Sequence, residues 1–424
     1  MKPTSRIQDD RLNRISGCEL EFPNRCGIPA RVFANKENPL ERAAVDELES
    51  VLQIQETIDL LRNQAPQFFG SGDEPEVTEV VLTPDFHKGA GIPIGTVLAT
   101  RGFAVPQAIG KDINCGMRLI ATDFDVDLVK SKSRGLESAL RHIFFEGGRD
   151  IPMTPRQREA LVRQGLPGPL STAQEAQEKG IWGSLDIREE QENPRHMRGG
   201  GGYMTDSVFA LQGYISAATG LSRDSIIGNR GGGNHFAEIQ FVRRVFNGQA
   251  AHAWGLREGQ VVVMIHAGSL GLGHVTGTFV HRKGATPAGG WEEMQDTHFA
   301  HFGEPVIVPG SMGASSFLLL GNGARPAICS ACHGAGRALS RGVAMREDDS
   351  RIDEFLKDFT VITALDPNRP DVRLRPDILE KWKQELKKAA PYAYKEITPV
   401  IKTLQEAKIA TPVVELFPLM TVKQ

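Results

Sequence analysis

The sequence has few of the features that mark membrane-bound or disulfide-stabilised proteins. Its 424 residues include only five cysteines, too few and too widely spaced for a disulfide scaffold: Cys18, Cys26, Cys115, Cys329 and Cys332. No apolar run approaches the length of a membrane-spanning helix, and the N-terminal residues are too polar for an export signal. We therefore expect a globular protein that contacts no membrane and works in the reducing environment of the cytoplasm.

Net charge and familiar nucleotide motifs are also scarce. The net charge is only −3, so any nucleic acid must bind in a local basic groove. The P-loop motif, the His-Glu-x-x-His motif, a helix-opening Gly-x-Gly-x-x-Gly and the Lys-x-Asp-Gly motif of nucleotidyl transferases are all absent from the sequence. Glycine is abundant instead, with 45 residues, many of them clustered beside His, Asp or Cys. Such clusters indicate a site built from loops whose backbone approaches a ligand.

The most informative stretch runs from Cys329 to Arg341, where His333 follows a Cys-x-x-Cys pair and precedes Gly-Ala-Gly. The glycines allow backbone N–H groups to approach a bound group, and Arg337 and Arg341 suit phosphate. The pattern is also compatible with covalent haem, half of a zinc knuckle or an ordinary glycine-rich turn. Haem attachment requires export, and a knuckle requires a second close Cys/His pair, which the sequence lacks. A histidine nucleophile beside a phosphate site and the ordinary turn both stay open.

Residues typical of transition-metal sites lie in three separate loops, each beside glycine at a predicted strand end: Asp112, Cys115, His235 and His266. A thiolate combined with imidazole and carboxylate suits Mn, Fe, Co or Zn better than Ca or Mg, and a thiolate can bridge two ions. Each residue has an ordinary alternative, since a lone buried cysteine is usually a small hydrophobe. The sequence does not show that the loops converge, so it predicts a metal-dependent enzyme acting on phosphate groups only as a hypothesis.

The pattern of short strands with helices between and after them predicts an α+β (mixed α/β) fold. We expect one compact domain over residues 1–424, with central β-sheets, flanking helices and Gly-rich loops that form the site. An apolar stripe predicts a helix from Leu40 to Asn63, a second helix is expected over 206–219, and the region after Pro376 is expected to be mostly helical. Residues from about 124 to 206 are interpreted as a variable surface excursion.

Six motifs follow one another along the chain: Asp112-Ile-Asn-Cys115-Gly-Met, Gly232-Gly-Asn-His235-Phe-Ala-Glu238, His266-Ala-Gly-Ser-Leu-Gly-Leu-Gly, His281-Arg-Lys-Gly-Ala-Thr286, Pro309-Gly-Ser-Met-Gly and Cys332-His333-Gly-Ala-Gly-Arg337. In this order they resemble the successive motifs of the RtcB family of RNA-splicing ligases. The resemblance runs from about Pro29 to Lys423, which is most of the chain, and it predicts a single RtcB-like catalytic domain.

The resemblance implies a GTP- and manganese-dependent ligase that joins RNA 3′-phosphate or 2′,3′-cyclic phosphate ends to 5′-hydroxyl ends. His333 would attack the α-phosphate of GTP and form a histidine–GMP intermediate, which passes GMP to the RNA 3′-phosphate. The implied partners are RNA with these ends and GTP, and the resemblance leaves room for an activating protein partner.

The resemblance also implies roles for individual residues. Two manganese ions are expected, with Cys115 bridging them and with the ligands Asp112, Cys115, His235 and His266. The residues implied to hold the guanylate, with Tyr394 stacking on the base, are Asn234, His235, Glu238, Ser311, Ser316, His333, Gly334, Ala335, Gly336, Tyr394 and Lys423.

This sequence departs from the family between the His266 and His281 motifs. The family normally carries a long helical segment there that supplies another metal-binding histidine, and here only residues 273–280 separate the two motifs. One ligand of the second metal is therefore unaccounted for. His274, His281, His298 or His301 could replace it, although an exposed histidine without a role is the more ordinary interpretation of each. Ala267 and Leu270 also replace the family's usual Ser and Arg, and loss of that arginine would weaken phosphate binding.

Two other functions remain open at this point. One is an RNA-end-binding relative that has lost catalysis, which would bind RNA in a salt-dependent way without forming a GMP adduct. The other is a metal-dependent phosphodiesterase that opens 2′,3′-cyclic phosphates without GTP. Retention of the whole guanylate set, including His333 and Lys423, favours the ligase.

Overall fold

Two β-sheets and a short two-stranded ribbon form the framework of the protein, with helices packed around them. The structure is a computed structural model, and it describes residues 9–69, 74–105, 108, 112, 115–146, 151–172, 182–183, 185–202, 204–208, 211–218, 224, 233–269, 285–295 and 297–423. The predicted mixed α/β fold class is confirmed. Among the helices described, none is both long enough and apolar enough to cross a membrane.

The first sheet is built in the order β1-β2-β3-β4-β5 and is antiparallel except for the parallel pair β3–β4. Its strands are β1 (Asn13–Arg14), β2 (Glu19–Glu21), β3 (Ala30–Phe33), β4 (Glu76–His87) and β5 (Ile94–Arg101). The predicted helix over 40–63 is confirmed as α1 (Arg42–Gln64). It packs its apolar stripe on this sheet because Val45, Leu48 and Leu52 recur at helical spacing and meet Val80 and Leu82.

The second sheet has the order β10-β11-β14-β7-β8-β6, and β13 pairs in parallel with β14. Its strands are β6 (Gly116–Asp125), β7 (Phe236–Val245), β8 (Gln260–Ala267), β10 (Pro305–Val308), β11 (Ser316–Gly321), β13 (Thr360–Ile362) and β14 (Ala410–Val422). The ribbon pairs β9 (Ala285–Pro287) with β12 (Ser330–Cys332). The central strands β7, β8 and β14 are largely buried, and β8 reads as an almost continuous apolar run.

Thirteen α-helices occur in the part of the chain that the structure describes. After α1 they are α2 (Val126–Ser131), α3 (Ser133–Phe145), α4 (Pro155–Gln164), α5 (Pro167–Ser171), α6 (Ile187–Glu192), α7 (Gln212–Ile215), α8 (Gly248–Ala253), α9 (Arg341–Met345), α10 (Asp349–Asp358), α11 (Pro370–Arg373), α12 (Pro376–Lys387) and α13 (Ile397–Glu406). The proposed excursion over about 124–206 is mainly helical where it is described, and its variable character stays a prediction.

One buried cluster joins the two sheets. Successive residues of β4 point to opposite faces, so Val81 and Phe33 pack away from α1. They meet Val306 and Leu319 of the second sheet and Leu404 of α13. This shared core fixes the position of β4 relative to the sheet that carries the metal-ligand candidates.

One expectation about secondary structure was wrong, and another was confirmed only in part, since the helices α12 and α13 do lie in the region from Pro376 onward. The helix expected over 206–219 is only the short α7 within the described residues of that range. The region after Pro376 also contains β14, which lies between β11 and β7 in the second sheet. Pro412 and Pro418 argue against a central strand, and each adjoins a shift of register where the hydrogen-bond ladder is interrupted.

Candidate metal centre and nucleophile

Three neighbouring strands bring the predicted metal ligands together. Cys115 directly precedes β6, His235 directly precedes β7, and His266 lies near the end of β8. Because β8 runs antiparallel to both neighbours, the starts of β6 and β7 meet the end of β8 at one edge. His266 is opposite both Met117 of β6 and Phe236 of β7. The convergence that the sequence left open is thus a consequence of strand order.

The side chains form a tight, largely buried cluster. Cys115 Sγ lies 3.3 Å from His235 Nε2 and 3.2 Å from His266 Nε2. His235 is 4% exposed and His266 is 3% exposed. The three donor atoms lie within 4.8 Å of one another. Three donor atoms so placed could hold one metal ion.

The chemistry of the donors fits a transition metal. A thiol sulfur and two ring nitrogens carry lone pairs that point at a common region, and in that arrangement a cation satisfies them together. Sulfur and imidazole are ligands preferred by borderline and soft divalent ions. A carboxylate is also at hand, because Asp112 Oδ2 lies 2.8 Å from His235 Nε2. A site with this composition fits the manganese that the family resemblance implies, and it does not by itself distinguish manganese from iron, cobalt or zinc.

Gly268 explains how Asp112 reaches the cluster. A Cβ atom at position 268 would lie 1.9 Å from Asp112 Oδ1 and 2.6 Å from its Cγ. Only glycine therefore leaves room for the carboxylate between the end of β8 and the cluster. This close approach gives a physical reason for the glycine in the His266-Ala-Gly motif.

His333 contacts the same cluster. Its Nε2 lies 3.3 Å from Cys115 Sγ and 3.2 Å from His266 Nε2, and the residue is 9% exposed. It directly follows β12, and its backbone N–H donates to Asp85 Oδ2 at 3.3 Å. The predicted nucleophile and the predicted metal ligands therefore belong to one site.

The same strand disfavours the haem alternative. β12 runs to Cys332 and pairs with β9, so the residues between Cys329 and His333 are extended. Cys332 is fully buried, and burial holds the pKa of its thiol well above the ordinary value. A thiol in this environment is a packing residue.

A buried ionisable pair supports the loop under His333. Asp85 accepts from Thr83 Oγ1 at 2.6 Å, and its pKa is raised to about 6 by burial. Lys395 donates to the carbonyl of Phe86, and burial lowers the pKa of Lys395 to about 8. The attraction between the two charges opposes both shifts. Lys395 carried no predicted role in the sequence analysis.

Gly336 is expected to be irreplaceable by alanine. Its φ is +75°, and a Cβ atom there would lie 2.2 Å from the backbone oxygen of Asp85. Because the position of a Cβ atom is fixed by its own backbone and the oxygen is a backbone atom, relief requires moving β4 or the His333 loop. We expect Gly336→Ala to lower the free energy of unfolding by at least about 3 kcal/mol, measured by urea denaturation.

Gly342 provides the matched control for that measurement. It lies in α9 and no atom lies within 4 Å of a Cβ built on it. Gly342→Ala is expected to be neutral or slightly stabilising, because alanine favours a helix. Equal stability of the two alanine variants would contradict the proposed clash.

Glu238 occupies a buried polar network beside the cluster. Its carboxylate accepts from Thr421 Oγ1 and from Gln240 Nε2, and Gln240 also donates to Ser316 Oγ at 3.1 Å. Burial raises the pKa of Glu238 to about 7, against the effect of these hydrogen bonds and of Lys423. Thr421 and Gln240 were not predicted as site residues, because a threonine or a glutamine in a β-strand does not by itself indicate a functional site.

Two other residues implied for guanylate binding, Ser316 and Lys423, lie close to this network. Lys423 is buried and donates to the carbonyls of Gly233 and His235. The remaining members are buried or half-buried: Asn234, Ser311, Ser316, Gly334, Ala335, Gly336 and Tyr394. Their predicted contacts to a nucleotide stay predictions.

Arg337 makes hydrogen bonds within the protein through Nε and Nη1, whereas its buried Nη2 has no partner among the described residues. Its guanidinium donates to the carbonyls of Leu339 and Lys388, both at 2.9 Å, and to Tyr394 Oη at 3.1 Å. It also stacks 4.8 Å from the centre of the Tyr394 ring. Arg337 therefore fixes Tyr394 and the loop after His333.

The replacement for the missing metal-binding histidine is not among the clustered residues that the structure describes. His298 and His301 are exposed, and the His298 ring packs against His196 at 4.3 Å between centroids. His274 and His281 lie outside the described residues. The second metal site stays a prediction.

The fold and site thus define a mixed α/β protein with a buried cysteine–histidine cluster beside a candidate histidine nucleophile. A family model described as "tRNA-splicing ligase RtcB" matches residues 73–279 and 276–424, and the chain therefore belongs to the RtcB family. The two matched segments overlap at residues 276–279.

Individual relatives agree with this assignment. The chain is 26% identical to a protein named tRNA-splicing ligase RtcB from Thermococcus kodakarensis, with 97% of this chain and 98% of the relative covered. It is 25% identical to RNA-splicing ligase RtcB homolog 1 of Entamoeba dispar, with 99% and 92% covered. It is 27% identical to RNA-splicing ligase RtcB of Mycobacterium tuberculosis, with 80% and 95% covered.

Proposed function

We propose that the protein is an RNA ligase that uses GTP and manganese to join 3′-phosphate or 2′,3′-cyclic phosphate ends to 5′-hydroxyl ends through a histidine–GMP intermediate. Membership of the RtcB family supports the ligase role. The observation that carries the mechanism is the position of His333 Nε2, 3.3 Å from Cys115 Sγ and 3.2 Å from His266 Nε2. A nucleophile so placed acts on a phosphate held at the metal site.

The chemistry begins on the His333 ring. The lone pair on Nε2 forms a bond to the α-phosphorus of GTP as the bond to pyrophosphate breaks. A 2′,3′-cyclic end is opened by water, which breaks the P–O2′ bond and leaves a 2′-hydroxyl and a 3′-phosphate. An oxygen of the RNA 3′-phosphate then takes the guanylyl group, and the P–N bond electrons return to Nε2. The RNA 5′-hydroxyl attacks the activated 3′-phosphate, loses its proton and displaces GMP. Bound metal supplies charge neutralisation and orientation of the phosphates.

The residues around the cluster define what the protein itself contributes. Asp112, Cys115, His235 and His266 would hold the metal, with Gly268 leaving space for the aspartate. Because a thiolate ligand must stay reduced, we also propose a reducing cytoplasmic setting, in keeping with five free cysteines.

GTP affinity is expected to depend on the charge of Glu238. An ionised carboxylate accepts two N–H groups from a guanine edge, whereas the protonated acid accepts them poorly. Since the pKa is raised to about 7, the ionised fraction increases as pH rises from 6 to 8. We expect wild-type affinity for GTP to rise by up to about tenfold over this range, relative to Glu238→Gln.

Titration calorimetry at several pH values checks this expectation. Taking the ratio of wild-type to Glu238→Gln affinity cancels the titration of GTP itself. A ratio that is constant from pH 6 to 8 would show that Glu238 does not contact the base in its charged form.

The proposed function is tested with RNA that carries a 5′-hydroxyl and a 2′,3′-cyclic phosphate. We expect joined product only when GTP and manganese are both present, together with a GMP-labelled protein when α-labelled GTP is used. Opening of the cyclic phosphate without GTP and without joining would identify a phosphodiesterase. Salt-dependent RNA binding with neither reaction would identify an RNA-end-binding protein.

A further inference from the structure

A threonine hydroxyl lies beside the ring nitrogen of His333 that faces away from the cluster. Thr286 Oγ1 is 3.1 Å from His333 Nδ1, while Nε2 of the same ring is 3.2 Å from His266 Nε2. The imidazole is thus contacted at both nitrogens, with a hydroxyl on one side and metal-ligand candidates on the other. The residues implied for catalysis and nucleotide binding do not include Thr286.

The two-stranded ribbon fixes this contact. In the register of β9 and β12, Thr286 pairs with Ala331 and Ala285 pairs with Cys332, so Thr286 is held next to the residue that follows β12. A backbone hydrogen bond of 2.7 Å from Ala288 N to the Cys329 carbonyl continues the pairing. Thr286 therefore reaches the ring from a paired strand rather than from a free loop.

The main chain and the ring of His333 have different partners. Asp85 Oδ2 accepts from the backbone N–H of His333 at 3.3 Å, so this carboxylate holds the loop. Thr286 Oγ1 contacts the ring at Nδ1. We therefore assign the orientation of the His333 ring to Thr286.

The contact at Nδ1 decides which nitrogen of a neutral imidazole carries the proton. One ring nitrogen carries the proton and the other carries the lone pair, and the partner of the first selects the tautomer. Nε2 can attack phosphorus only if the proton resides on Nδ1. An acceptor at Nδ1 favours that tautomer and aims Nε2 at the cluster.

We infer that Thr286 is a positioning residue for the nucleophile: its hydroxyl oxygen accepts from His333 Nδ1–H and holds Nε2 ready for reaction with a nucleoside triphosphate. This inference rests on the proposed function.

The proton stays on Nδ1 throughout the cycle. Formation of the P–N bond at Nε2 expels pyrophosphate and leaves positive charge on the ring, which strengthens the Nδ1–H···Oγ1 hydrogen bond. Transfer of the guanylyl group returns the electron pair to Nε2 and restores the neutral ring. Thr286 thus needs to accept a hydrogen bond but never a proton.

Replacement of Thr286 by valine removes the acceptor and keeps the shape of the side chain. With α-labelled GTP and manganese, we expect the single-turnover rate of protein labelling at saturating GTP to fall about tenfold. Affinity for GTP and for manganese, measured by calorimetry, is expected to stay within about twofold, because Thr286 is not assigned to either ligand. Thr286→Ser, which restores the hydroxyl, is expected to recover most of the rate.

The outcomes separate this inference from the proposed function. Absence of labelling in the wild-type protein overturns both. If wild type and Thr286→Val are labelled at equal rates, the role of Thr286 is overturned and the proposed function stands. If Thr286→Val lowers the affinity for GTP but not the rate of labelling, Thr286 is a packing residue and the inference is overturned. The same conclusion follows if Thr286→Ser does not restore the rate. If the valine variant does not fold, Thr286→Ala removes the hydroxyl without crowding and serves in the same comparison.

Discussion

No covalent GMP is expected on the His333→Ala protein after incubation with α-labelled GTP and manganese. Alanine removes the only atom proposed to form the P–N bond, Nε2, which lies against Cys115 and His266. Loss of a covalent nucleophile typically lowers the rate by far more than loss of a single hydrogen bond, so we expect a decrease of more than about 1,000-fold. Denaturing electrophoresis measures the retained label.

An exposed histidine provides the control. His252 lies in α8, away from the clustered residues, and His252→Ala should be labelled at the wild-type rate. The adduct in wild type should also be labile to acid and stable to alkali, as a phosphoramidate is. Label that survives in His333→Ala would assign the covalent chemistry to another residue and remove the basis for the proposed mechanism.

The metal-ligand set could be proposed from the sequence because its residue types are distinctive. Cysteine, histidine and aspartate beside glycine at predicted strand ends suggested ligands for a transition metal. Their convergence could not be derived, since it depends on β8 lying between β6 and β7. Strand order is a long-range property, and the segments that carry Cys115 and His235 are 120 residues apart.

The residues that the sequence did not reveal are ordinary in type. Thr286, Lys395 and Thr421 acquire their roles from neighbours distant in the chain. Lys395 becomes notable only because it is buried close to Asp85, and Thr421 because β14 places it opposite Glu238. β14 itself was missed because its two prolines suggest an interrupted segment, although they adjoin irregularities in pairing.

Arg337 illustrates the limit of reasoning from local composition. Arg337 follows the sequence His333-Gly-Ala-Gly336, and this local pattern suggested a phosphate ligand. In the structure Nε and Nη1 donate to carbonyls and to Tyr394 Oη, whereas the buried Nη2 has no hydrogen-bond partner among the described residues. Backbone carbonyls thus satisfy only part of the guanidinium, and the phosphate role of Arg337 stays a prediction.

Replacement of Cys115 by alanine is expected to weaken manganese binding by at least about 100-fold. Changes to partners of metal ligands alone cost about 10- to 100-fold in affinity, so removing a ligand should cost no less. Cys115 Sγ is also the atom that lies within 3.3 Å of His235, His266 and His333 nitrogens. Its loss therefore leaves three imidazoles without their shared neighbour.

Two measurements establish whether the sulfur is a ligand. Titration calorimetry gives the manganese affinity, and cobalt(II) substitution gives a thiolate-to-metal charge-transfer absorption that only a bound sulfur produces. Cys26→Ala is the matched control, since Cys26 is half-buried against the first-sheet core and should leave both signals unchanged. Wild-type affinity and an unaltered cobalt spectrum in Cys115→Ala would place the ion elsewhere. The short contacts of Cys115 would then be packing alone, and His333 would face no metal.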